Sequence, residues 1–225
     1  MCQNFQFEGK EYNNIPNEVG LLYEFCRNDS LDFNISNKTL NDTQKQIVLV
    51  GVSRAISLLH QNNYVHLTIT PENILLDDSF HPHLYGFHFM SLIEPDTRKV
   101  KHIPKKYQNF TAPEALTNGF YNEKVDIYSF GLVMLFIISD NPIRYDRNAA
   151  RSVNVLKSYV EDGIRPLIKE TIKKPIQDLI EKCWSGDPDI RPTADELFRK
   201  LAYDPECYLD DVDATVLSQY VATIA

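Results

Sequence analysis

The sequence predicts a mainly α-helical fold, a helical bundle with small β-hairpins, and three observations carry that expectation. Apolar residues recur at helical spacing over long stretches, as Ile47, Val48, Val50, Ala55, Leu58 and Leu59 do. Extended runs are short and closed by turn formers, as Ile74, Leu75 and Leu76 are by Asp77, Asp78 and Ser79. A chain of 225 residues with 43% hydrophobic content can bury a substantial core, which we read as a single domain.

Taken from the amino end, residues 1–18 are polar, with Asn13, Asn14 and Pro16, and suit a loop or short hairpin. Residues 19–25 are a compact apolar run expected to form a strand, broken by the turn Asn28, Asp29, Ser30. Asp42 and Thr43 offer a helix cap, and the helical spacing that follows runs to His60. The runs 74–76 and 83–85 suggest a small hairpin, and 104–115 reads as irregular. The most apolar segment, 126–138, is expected to be a central helix closed by Asp140, Asn141 and Pro142. Further helical patterns occupy 148–162 and 175–183, and Thr193 with Glu196 makes a capping-box start for a helix over 193–201. In the acidic tail 203–225, Val212, Val216, Leu217, Tyr220 and Ile224 fall at helical intervals, as in a docking helix.

Charge and cysteine usage exclude several classes. Acidic side chains outnumber basic ones, 31 to 23, and the net charge of −8 disfavours general affinity for nucleic acid or an anionic membrane. Cys2, Cys26, Cys183 and Cys207 are scattered without metal-site spacing, which points to free thiols in a reducing compartment. The apolar run 127–138 is too short to cross a bilayer, and residues 1–10 hold no apolar block of a signal peptide. A cytoplasmic protein is the expectation, and the N-x-S/T triplets at Asn34 and Asn37 read as by-products of an Asn-rich sequence.

The chemistry-bearing motifs occur in a fixed order. His66, Pro71, Glu72 and Asn73 sit in the run 64–76 at the spacing of an H-x-x-x-x-P-E-N loop. Ala112-Pro113-Glu114, then Asp126 with Ser129 and Gly131, then Cys183-Trp184 with Asp187-Pro188 and Arg191-Pro192 follow. Each pattern alone is weak, but in order and at these spacings they make residues 19–202 resemble the hinge and C-terminal lobe of a eukaryotic protein kinase, nearest in style to the tyrosine-kinase-like group. The resemblance implies that Glu114 and Arg191 form a largely buried ion pair, that Asp126 accepts backbone N–H bonds from the catalytic loop, and that His66 packs under Phe87. It implies a nucleotide pocket lined by Glu24, Cys26 and Leu75, with Tyr23 narrowing it, and ATP with Mg²⁺ as cofactors wherever activity is retained.

The residues that perform chemistry depart from the family's pattern. Leu67, Thr68 and Thr70 stand where Arg, Asp and Lys are expected, so a neutral hydroxyl replaces the general base, a loss that costs about 10²–10⁴ in rate. The D-F-G triplet reads Gly86-Phe87-His88, and glycine offers a hard cation no side-chain oxygen; Asn73 alone is left as a metal ligand. No G-x-G-x-x-G occurs, and the residues before Leu21 are too few for the family's small β-lobe, which is expected to be essentially absent. The expected function is that of a pseudokinase-type module with no cofactor, binding a protein partner such as another kinase or a kinase substrate. The alternatives are a divergent serine/threonine kinase or a fragment of a longer kinase. His81, His83 and His88 lack a third ligand at recognisable spacing and are not assigned to a metal.

Overall fold

The computed structural model describes residues 25–93, 109–116, 122–140 and 163–225, together with the backbone of 5–7 and 10–12. The strand expected over 19–24, the irregular stretch 104–108 and the helix expected over 148–162 lie outside these residues, and Phe25 belongs to no strand.

Within the polar amino-terminal segment, β1 (Phe5–Phe7) pairs antiparallel with β2 (Lys10–Tyr12) as a short hairpin. The turn expected at 28–30 leads into the helix start that the resemblance implies at Leu31: Ser30 caps α1 (Leu31–Ser36), its hydroxyl accepting the Phe33 N–H at 3.2 Å. Asn34 is buried in this helix, its amide donating to the carbonyls of Ser30 and Asn28, so this N-x-S site has no free amide to carry a glycan. The cap of α2 (Asp42–Gln61) is one residue earlier than expected. Asn41 takes it rather than Asp42 or Thr43, because Gln44 stands three residues on and closes a reciprocal capping box.

After α2 the chain forms small two-stranded pairs. β3 (Tyr64–Val65) pairs with β6 (Ser91–Leu92), and β4 (Ile74–Leu76) with β5 (Pro82–Leu84), one residue off the expected 83–85. A 3₁₀ turn, Pro71–Asn73, leads into β4. Residues 113–115, expected to be irregular, belong to the short helix α3 (Pro113–Leu116).

Helix α4 (Lys124–Ser139) is buried from Val125 to Ile137 on every face, as an all-round apolar helix must be. It packs against α2 and against α5 (Lys174–Cys183). Its approach to α5 is close: a Cβ at Gly131 would lie 2.6 Å from the Cys183 Cβ, which explains the glycine of the D-x-x-S-x-G pattern. Helix α6 (Ala194–Tyr203) starts with the expected Thr193–Glu196 capping box and lies along α2.

The tail helix α7 (Ala214–Ile224) also packs on α2 and α6, burying Leu217, Tyr220 and Val221, whereas Val216, read as part of its apolar face, is 43% exposed. Asp213 caps α7, so its apolar stripe is phased by that start rather than by Val212. Cys26, Cys183 and Cys207 are buried, and burial pushes the Cys183 thiol up to about 12, leaving it unreactive. Among the described residues no helix is long and apolar enough to cross a membrane.

Candidate functional site

The candidate site is the loop from His66 to Asn73, held between β3 and β4 and closed from below by the first turn of α4. Asp126 is fully buried there and takes the loop's backbone in both oxygens: Oδ2 accepts the His66 N–H and Oδ1 the Leu67 N–H, each at 2.8 Å. Leu67 sits at φ +71, a backbone region that costs a non-glycine residue about 1–3 kcal/mol, and the Asp126 bond to its N–H holds it there. A further partner escaped the sequence reading. His60, in the last turn of α2, brings Nε2 to 3.0 Å from Asp126 Oδ2, tying α2 to α4 beneath the loop. Its only sequence signal is a basic residue near a helix end, which many helices carry.

His66 is buried against Phe87, the rings meeting edge to face with centroids 5.0 Å apart, the packing the resemblance implied. Its Nδ1 accepts the Thr68 N–H at 3.3 Å, and the Tyr85 carbonyl faces the ring. Burial lowers its pKa below the ordinary 6.5, and the His88 ring adds to that; Asp126 and the Tyr85 carbonyl oppose it.

Thr68, at the position of the base, is buried with its hydroxyl turned inward. Oγ1 donates to the Gly86 carbonyl at 3.2 Å and lies 3.3 Å from His66 Nδ1. Asn73 is also buried, its Nδ2 donating to the Thr68 carbonyl at 2.9 Å. The Tyr85 N–H donates to the Asn73 carbonyl at 2.8 Å, so the start of the loop's hairpin and the segment entering Gly86-Phe87 are joined directly. Thr70, in the place of the family's lysine, is buried and its hydroxyl has no hydrogen-bond partner.

The residues present do not fit a magnesium ion. A hard dication needs several oxygens, usually carboxylate. Gly86 supplies none from its side chain, and Asn73, whose Nδ2 donates to the Thr68 carbonyl, has one neutral amide oxygen to offer. A Cβ added at Gly86 would lie 2.7–3.0 Å from the Asn73 side chain, so the space for a ligand at 86 is filled. No group of three His, Cys, Asp or Glu side chains among the described residues is arranged to hold a metal. His81 and His83 instead turn toward Asp77, at 3.7 and 3.4 Å from its Oδ2.

The ion pair expected of Glu114 and Arg191 is bidentate, with Nη1 to Oε1 at 2.5 Å and Nη2 to Oε2 at 3.1 Å. Arg191 is fully buried and also donates to the carbonyls of Ser185 and Lys124, while its guanidinium lies 5.0 Å above the Tyr128 ring. The pair thereby ties α3 to the start of α4 and to the segment before α6. At the hinge side, Cys26 is buried with Sγ 3.7 Å from the Tyr85 hydroxyl, and Leu75 is half-buried, paired with His83 in the hairpin. Tyr23 and Glu24 lie outside the described residues.

These features agree with the comparisons. The family model described as protein kinase domain matches residues 7–201. The chain is 30% identical over 203 residues, 87% of its length, to the probable serine/threonine-protein kinase kinX of Dictyostelium discoideum. It is 27% identical over 217 residues, 83% of its length, to a protein kinase and PP2C-like domain-containing protein of Arabidopsis thaliana. The chain spans 18% of the first relative and 33% of the second. With the ordered loop, the Glu114–Arg191 clamp and the Asp126 anchor in place, this chain belongs to the protein kinase family.

Proposed function

We propose that this chain is a catalytically impaired kinase-type module, in the style of the tyrosine-kinase-like group, that binds a protein partner in the cytoplasm. Another kinase or a kinase substrate is the partner the family's chemistry favours, and the negative net charge argues against nucleic acid and membrane surfaces. The observation that carries the reading is Thr68. Its hydroxyl is engaged with Gly86 and His66, so no group at the base position can take a proton from an incoming hydroxyl. The frame around it, Asp126 and the Glu114–Arg191 pair, supports a scaffold that keeps its shape without the chemistry.

An apolar surface supports the binding role. Phe25 is 66% exposed, with Leu75 and Phe87 half-buried, and the tail helix packs on α2 and α6 instead of covering Phe25. A Phe25→Asp variant is expected to lose a partner captured by the unaltered chain while keeping its melting midpoint. Unchanged capture would remove this surface from the account.

The second reading, a divergent serine/threonine kinase or part of a longer one, draws on the printed names of the relatives and on the retained Asn73. A phosphotransfer assay with Mg²⁺ or Mn²⁺ decides between them. The impaired reading expects label transfer at background; transfer that disappears on Asn73→Ala would overturn it.

A further inference from the structure

The two positions where the family's carboxylates are replaced touch each other. Thr68 Oγ1 donates to the Gly86 carbonyl at 3.2 Å, across a hairpin that separates them in sequence. Asn73 lies across both: Nδ2 bonds the Thr68 carbonyl at 2.9 Å, and the same amide rests over Gly86 Cα. An added Cβ at 86 would meet Nδ2 at 2.7 Å, Cγ at 2.8 Å and Oδ1 at 3.0 Å. Gly86 also stands at φ +84, a conformation open to glycine and strained for most side chains. Thr68 and Asn73 are both buried, so these bonds are shielded from water.

We propose that Thr68, Asn73 and Gly86 form an interlocked contact that joins the loop to the segment after β5, the junction a bridging metal ion would otherwise make. The inference deepens the impaired reading above and rests on it for the claim that no ion is needed there. Asn73 is then a positioning residue whose amide holds the Thr68 carbonyl and occupies the space of a side chain at 86. The substitutions at 68 and 86 are interdependent, and restoring one carboxylate does not rebuild a metal site: an Asp at 86 meets the Asn73 amide, and Asn73 must give up its bond to Thr68 to move away.

A double-mutant cycle of Gly86→Ala and Asn73→Ala in the whole chain, read by urea unfolding, tests the contact. Gly86→Ala is expected to shift the unfolding equilibrium toward the unfolded chain by roughly 10–100-fold. In the Asn73→Ala background the same change should shift the unfolding equilibrium roughly tenfold less, because the obstructing amide is gone. Additive effects within twofold would overturn the proposal. Where Gly86→Ala does not fold, Thr68→Val serves: it keeps the shape, removes the hydroxyl bond, and should speed hydrogen exchange at the Tyr85 amide by about tenfold while amides of α4 keep their rates. Equal acceleration everywhere would contradict a local contact.

The third arm is Gly86→Asp titrated with Mn²⁺ alone, followed by the ion's paramagnetic signal. No binding at millimolar Mn²⁺ is expected, and binding without loss of stability would overturn the interlock. Phosphotransfer by the unaltered chain is a separate outcome that defeats the impaired reading, whereas the cycle and the Mn²⁺ titration report on the contact itself.

Discussion

At the scale of single residues, buried polar groups decide what this loop can do, and their costs can be measured. His66 has its pKa below the ordinary 6.5 through burial, with Asp126 and the Tyr85 carbonyl acting against the shift and His88 with it. The unfolded chain therefore binds a proton near pH 6.5 that the folded chain refuses. The stability His66 contributes is full above that pH and is lost as pH falls toward the folded value, with a slope of at most about 1.4 kcal/mol per pH unit. Urea midpoints at pH 7.5 and 5.5 should drop less in His66→Gln than in the unaltered chain; equal drops would assign the acid sensitivity to other groups. At Arg191, Glu114→Gln leaves a fully buried guanidinium without its counter-ion. A loss of about 3–5 kcal/mol is expected in urea unfolding, and a loss below 1 kcal/mol would show that Ser185, Lys124 and Tyr128 suffice.

The residue scale is also where sequence and structure part. Glu114, Asp126 and Arg191 were legible because each sits in a motif whose spacing encodes one contact. His60 was not, since nothing near it in sequence announces that its partner is Asp126. The Thr68–Gly86 bond was equally hidden: the substitutions were evident, but that they bond each other across the β4–β5 hairpin is a tertiary fact.

At the scale of elements, the long periodic helices α2, α4, α5 and α6 were legible to within a few residues, because an apolar stripe repeats enough times to fix its period. Short elements carry too few turns for periodicity: the start of α1 was legible only through the resemblance and is set by Ser30 capping, and α3, read as irregular, is set by the Glu114 clamp. The tail helix α7 shows how an element beyond the family match becomes part of the fold. Its Tyr220 sits over Gly51 of α2, where an added Cβ would collide with the hydroxyl, and its ring centroid is 4.5 Å from that of His81 in the hairpin loop. Burial and the nearby Asp77 charge both push the Tyr220 phenol up, so it stays neutral. Arg54 of α2 donates to the Ile224 carbonyl at 2.9 Å and closes the far end. Tyr220→Ala empties this contact and should cost about 3–5 kcal/mol in unfolding experiments. A cost under 1 kcal/mol would mean that α7 is only loosely applied to α2.

At the scale of the whole molecule, the family was legible from ordered motifs, and the match over residues 7–201 agrees with them. Two features of the chain then pull apart: the architecture that orients a kinase loop is kept, and at the positions of the carboxylates that in the family take the substrate proton and hold the charge-neutralising metal ion stand Thr68 and Gly86. Phosphoryl transfer rests on positioning plus charge neutralisation, so positioning alone leaves a shaped surface and little rate. The proposed function therefore expects a site that neither engages nor needs metal-bound nucleotide. The measurement that tests it most directly is a thermal melt of the chain with and without excess ATP and Mg²⁺. One cooperative transition with an unchanged midpoint is expected. Ligand at a hundredfold over its dissociation constant would add about 2.7 kcal/mol and raise the midpoint by roughly 5–10 °C, and a shift of that size would mean that a working nucleotide pocket survives despite Thr68 and Gly86.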